Sequence, residues 1–181
     1  ALRMLLFAVL SEVPFDLMYG GTVFYPVHQN VIWTLLLGLL GIRLMEAARA
    51  KGKRWLYVLT CAAVVVLGFA LGTLGMVDYY GAGVLTVFAF YFFRERKWWC
   101  LLGQLAALYW LNVVVLGGQM YPVTLFGREI ELCEQGLALL ALVPIWLYRG
   151  RQGHHSKAFQ YACYAFYPAH MLVLALLTMI Q

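Results

Sequence analysis

Apolar residues fill this chain in seven runs, at about 2–19, 28–46, 54–75, 78–93, 98–116, 131–148 and 158–180, and polar residues collect in the short connections between them. The stretch WLYVLTCAAVVVLGFALGT after Arg54 holds no charge at all. A helix needs about 20 such residues to cross about 30 Å of hydrocarbon, so the pattern predicts one all-α, polytopic membrane bundle of about seven transmembrane helices over residues 1–181. The fourth run, DYYGAGVLTVFAFYFF, is short and reads as a steeply inserted or partly re-entrant segment. Gly68 with Gly72, and Gly38 with Gly41, supply small residues for close helix approach.

Composition strengthens this reading. The 181 residues are 64% hydrophobic and 12% charged, with mean hydropathy +0.80, against about 25% charged in soluble domains. The net charge of +5 comes from loop residues, so membrane topology explains it without nucleic acid. Of the thirteen Lys and Arg, only Arg128 falls in a loop on the opposite side from the rest. Arg3, Arg43, Arg49, Lys51, Lys53, Arg54, Arg94, Arg96, Lys97, Arg149, Arg151 and Lys157 share one side, which implies a cytoplasmic start and an extracytoplasmic C-terminus. Trp55, Trp98, Trp99 and Trp146 belong to an aromatic belt on that basic side. Cys61, Cys100, Cys133 and Cys163 are scattered singly, without metal or redox spacing, and no metal is expected. No inverted repeat of the transporter kind is visible.

What interrupts the apolar background carries the chemistry. In SEVPFD, Glu12 lies inside the first run, Pro14 is expected to break or kink the helix, and Asp16 sits near its outer end. FYPVHQNVIWT brings Tyr25, His28, Gln29 and Asn30 to the start of the second span, where free N–H groups and the helix dipole suit a carboxylate or a developing oxyanion. Asp78 opens the fourth run on the same outer side, as a cap or as part of a pocket. YAFYPAHM places Tyr167 and His170 near mid-membrane, and burial favours the neutral imidazole a general base needs. His170, Glu12 and His28 are therefore the catalytic candidates; Asp16, Tyr25, Gln29, Asn30, Asp78 and Tyr167 would bind the acceptor or an oxyanion. Arg43, Arg94 and Arg149 on the basic face could hold cofactor phosphates. Three classes of function fit: an enzyme with an outward pocket, a small proton- or cation-coupled transporter along Glu12, Asp16, Asp78 and His170, and a noncatalytic membrane scaffold.

The order SEVPFD, FYPVHQN, DYYGAGVL and FYPAH resembles the TraX family, named for a conjugative pilin N-acetylase and grouped with membrane-embedded acyltransferases. The resemblance covers nearly the whole chain. It maps onto Glu12, Pro14, Asp16, Tyr25, His28, Gln29, Asn30, Asp78, Gly81, Tyr167 and His170. It implies transfer of an acetyl group from acetyl-CoA to an acceptor amine or hydroxyl on a peptide, glycan or lipid, in the bacterial inner membrane. The family pattern also includes two more N-terminal spans, the first with an Asp-His pair; the resemblance thus implies an N-terminally incomplete fold here.

Overall fold

The computed structural model describes residues 1–125, 127–148, 150–151, 153 and 156–180. Among them seven α-helices form: α1 Leu2–Gly20, α2 Val31–Ala50, α3 Arg54–Leu74, α4 Tyr80–Phe92, α5 Trp98–Tyr109, α6 Leu142–Leu147 and α7 Lys157–Ile180. The all-α bundle expected from the sequence is what the chain forms. The protein is a membrane protein: Val31–Ala50, Arg54–Leu74, Trp98–Leu116 and Lys157–Thr178 are each long and apolar enough to span a bilayer. Three further segments are helical without meeting that measure. The helix α1 has 19 residues but carries Arg3, Glu12 and Asp16, α4 has 13 residues, and Glu134–Leu147 is short.

Several boundaries differ from the apolar pattern, each for a local reason. The second span starts at Val31 rather than 28, because the Asn30 side chain accepts the Ile32 N–H at 3.0 Å and caps the helix. The fourth starts at Tyr80, leaving Asp78 in the preceding turn. The run at 131–148 opens as strand, since Arg128–Cys133 (β2) pairs antiparallel with Met120–Leu125 (β1). Pro122 fits in β1 because a two-stranded ribbon leaves every strand with an unpaired edge. Pro14 and Pro168 do not end their helices: α1 and α7 each run through their proline.

The chain divides into two compact units. One contains Ala1–Val84 and Gln152–Gln181. Within it α1 packs on α7 and α2, and α2 packs on α3. A close approach joins α3 to the start of α4, where a Cβ added at Gly72 would lie 2.9 Å from the Tyr80 carbonyl oxygen, and one at Gly81 would lie 2.5 Å from that of Phe69. The α3 surface is otherwise apolar and exposed at Leu59, Val66 and Leu67, as a lipid-facing helix requires.

The other unit contains Leu85–Arg151. Helix α5 widens into a π-helix over Trp110–Leu116, and the buried Asn112 side chain donates to the Leu108 carbonyl at 2.9 Å. Gln104, also buried, donates to the Phe93 carbonyl at 2.8 Å and accepts from the Trp146 indole at 2.7 Å, tying the end of α4, α5 and α6 together.

Candidate active site

The polar residues of SEVPFD and FYPVHQN meet at the N-terminus of α2, within the first unit. Asn30 is fully buried and both donors of its side-chain amide are used. Its amide donates to the Ala8 carbonyl at 2.9 Å and to Glu12 Oε2, while Oδ1 caps α2. The same Glu12 oxygen accepts the Trp33 indole N–H at 2.8 Å. One carboxylate from α1 thus fixes the first turn of α2, leaving the Asn30 amide no proton to offer a ligand.

A second group forms beside it. His28, 8% exposed, lies with Nε2 3.3 Å from Asp78 Oδ1. Its ring stacks on Tyr19 at 4.6 Å and Phe15 at 5.6 Å, and meets the edge of Tyr80 at 6.0 Å. The Asp78 turn is held from two directions: Thr34 Oγ1 donates to the Asp78 carbonyl at 2.7 Å, and the Gln29 N–H donates to the Met76 carbonyl at 2.8 Å. Three non-glycine residues of this turn have positive φ, Met76 at 50°, Tyr79 at 60° and Tyr80 at 49°. Each such residue costs about 1–3 kcal/mol and survives only where surrounding contacts impose it, as here. Burial pushes the Asp78 carboxyl above its ordinary range, and the hydrogen bond and charge of His28 pull in the opposite direction.

The remaining candidates divide into those near these groups and those apart. Asp16, 2% exposed, accepts the Tyr25 N–H at 2.9 Å through Oδ2. The Tyr25 ring covers Gly20, where a Cβ would come within 2.5 Å of it. Among the described residues, four buried oxygens have no hydrogen-bond partner: Ser11 Oγ, Glu12 Oε1, Asp16 Oδ1 and the Tyr167 hydroxyl. Tyr167, from α7, faces the Val31 N–H and lies within electrostatic reach of Glu12 and Asp78. Gln29 donates its amide to the Pro26 carbonyl at 3.2 Å. His170 bonds Phe166 of its own helix at 2.9 Å and meets the Tyr167 ring edge at 5.3 Å. Arg43 is exposed on α2; Arg94 is exposed in the other unit, over the Tyr91 ring at 4.7 Å. Arg149 lies outside the described residues. Among the described residues no three His, Cys, Asp or Glu gather to share a metal.

Trp33, Thr34 and Tyr19 were not among the sequence candidates, yet they hold the site. The signal for two of them was spacing, since Trp33 and Thr34 stand three and four residues after Asn30 and so share its helix face.

These features define a polytopic helical membrane protein with a buried carboxylate-imidazole pair at the ends of its spans. The chain belongs to the TraX family: the family model, described as TraX protein, matches residues 1–178. No curated protein and no solved structure matches it.

Proposed function

We propose that the chain is a membrane-embedded acyltransferase that moves an acetyl group from acetyl-CoA to an amine or hydroxyl of a peptide, glycan or lipid acceptor, with His28 as general base. The observation that carries this reading is the His28–Asp78 pair in a strained, doubly anchored turn. With Nε2–H donating to Asp78, the lone pair is on Nδ1. That nitrogen takes the acceptor proton as the acceptor attacks the thioester carbonyl. Collapse of the tetrahedral intermediate breaks the C–S bond, and the imidazolium returns its proton to the departing thiolate. Asp78 orients the ring and stabilises the imidazolium, as a carboxylate partner does in hydrolytic triads. The Tyr167 hydroxyl, buried at the α2 N-terminus without a completed hydrogen bond, is the donor best suited to the oxyanion. Glu12 positions this end of α2 and does not touch the reacting atoms.

The test is transfer of label from acetyl-CoA in membranes containing the full chain. His28→Ala is expected to lower the rate by about 10²–10⁴-fold, the usual range for a general base. His170→Ala, whose ring nitrogen bonds its own helix, is expected to stay within about threefold. Undiminished transfer by the His28 variant refutes the assignment, and solute flux in proteoliposomes without any acyl donor would favour the transporter reading.

A further inference from the structure

The hairpin of β1 and β2 has two unlike faces. In its register Tyr121 stands opposite Leu132 and Val123 opposite Ile130, so these four side chains share one face. All four are exposed, from 36% at Val123 to 50% at Ile130. The other face sets Thr124 against Glu129 and Pro122 against Glu131, and carries both carboxylates. The ribbon is not a loose loop. The Glu134 N–H donates to the Gln119 carbonyl at 3.0 Å, and the buried Cys133 thiol bonds the Gly117 carbonyl at 3.3 Å. Gly118 lies so close to Gln135 that an added Cβ would come within 3.1 Å of its side chain. These contacts fix the base of the hairpin to the end of the membrane-length segment Trp98–Leu116. Only Gly117, Gly118 and Gln119 stand between that span and Met120, and three residues reach at most about 11 Å. The strand β1 therefore begins at a boundary between lipid and water.

We propose that the hairpin is a membrane-surface element, which lays Tyr121, Val123, Ile130 and Leu132 on the lipid interface and turns Glu129 and Glu131 to water. The partner is lipid because the span to which the ribbon is tied already runs through the bilayer, with Trp110 and Val114 exposed along it, so the bilayer surface is the apolar phase next to this face. Charge agrees with that pose, since the reverse one would press two carboxylates against the membrane. The depth follows from the backbone. A two-stranded ribbon has unpaired N–H and C=O groups along both outer edges, and such edges do not occur in hydrocarbon, so the ribbon rests among the headgroups, where water completes them. Tyrosine is suited to that level. The proposal stands on the second unit alone and does not depend on acyl transfer by His28.

The experiment places a nitroxide on single cysteines of the full chain in vesicles of phosphatidylethanolamine and phosphatidylglycerol. The native cysteines are replaced, Cys133 by Ser so that a hydroxyl can still reach the Gly117 carbonyl. Collisions of each label with oxygen, which concentrates in lipid, are compared with collisions with a neutral nickel chelate, which stays in water. Val114→Cys on the span calibrates contact with lipid. Labels at Val123→Cys and Ile130→Cys should meet oxygen more often than the chelate, and labels at Thr124→Cys and Glu129→Cys should show the reverse, an alternation with the period of a strand. All four positions are exposed, so the labels do not disturb packing. Preference for the chelate at all four overturns the proposal by placing the ribbon in water. Preference for oxygen at all four overturns it by sinking the ribbon into hydrocarbon. The opposite alternation overturns the pose. Shielding of Val123→Cys and Ile130→Cys from both reagents also overturns it, since the face would then be covered by protein, a second copy or another chain.

Discussion

Glu12 shows how a costly side chain in a membrane helix can be structural. Its Oε2 accepts from both Asn30 and Trp33, so truncation strands two donors at once. Glu12→Ala is expected to destabilise the chain by about 2–4 kcal/mol, since each buried unpaired donor costs about 1–3 kcal/mol. Glu12→Gln keeps an acceptor oxygen in the same place and should cost about 1 kcal/mol or less. Denaturant unfolding in detergent measures both, and equal losses would show that the charge rather than the acceptor is needed. The sequence identified Glu12 and Asn30 as polar residues in a place that demands a reason. It did not pair them, because the reason lies in how α1 crosses the first turn of α2. The same holds for His28 and Asp78, fifty positions apart in the chain, each readable alone as an interfacial residue or a cap.

At the scale of elements, the turn between α3 and α4 concentrates strain where the site is. Leu74 ends one helix, Tyr80 begins the next, and the connection has Met76, Tyr79 and Tyr80 in the left-handed region. Thr34 and Gln29 hold it there. Met76 is 41% exposed, so its side chain can be removed with little loss of packing. An L-residue in this region costs about 1–2 kcal/mol, and glycine forfeits about 0.4–1 kcal/mol through the unfolded chain. Met76→Gly should therefore stabilise the protein by about 0.5–1 kcal/mol, read as a higher midpoint of unfolding; a lower midpoint would mean that the Met76 side chain supports the turn. Thr34→Val removes the anchor while conserving shape, and acetyl transfer should fall with Asp78 free to move, by about tenfold. The runs of apolar residues located every helix, because span length and hydropathy are properties of a single segment. The hairpin of Met120–Leu125 and Arg128–Cys133 was not legible in the same way, since its alternation is short and its pairing joins two weak segments.

At the scale of the whole molecule, the distribution of charge predicts an orientation, and orientation decides which reactant reaches which residue. His28 and Asp78 fall on connections between spans that carry no Lys or Arg, whereas Arg94 and Arg96 fall in a loop rich in them. Single cysteines in a background lacking Cys61, Cys100, Cys133 and Cys163 test this with a thiol reagent that cannot cross the membrane. Thr22→Cys, beside the His28 loop, and Thr124→Cys, in the hairpin, should be labelled in intact cells. Lys51→Cys and Glu95→Cys should be labelled only after the membrane is opened. All four positions are exposed, so failure to react cannot be attributed to burial. Labelling of Lys51→Cys in intact cells would invert the orientation and place the His28–Asp78 pair on the cytoplasmic side, out of reach of an extracytoplasmic acceptor.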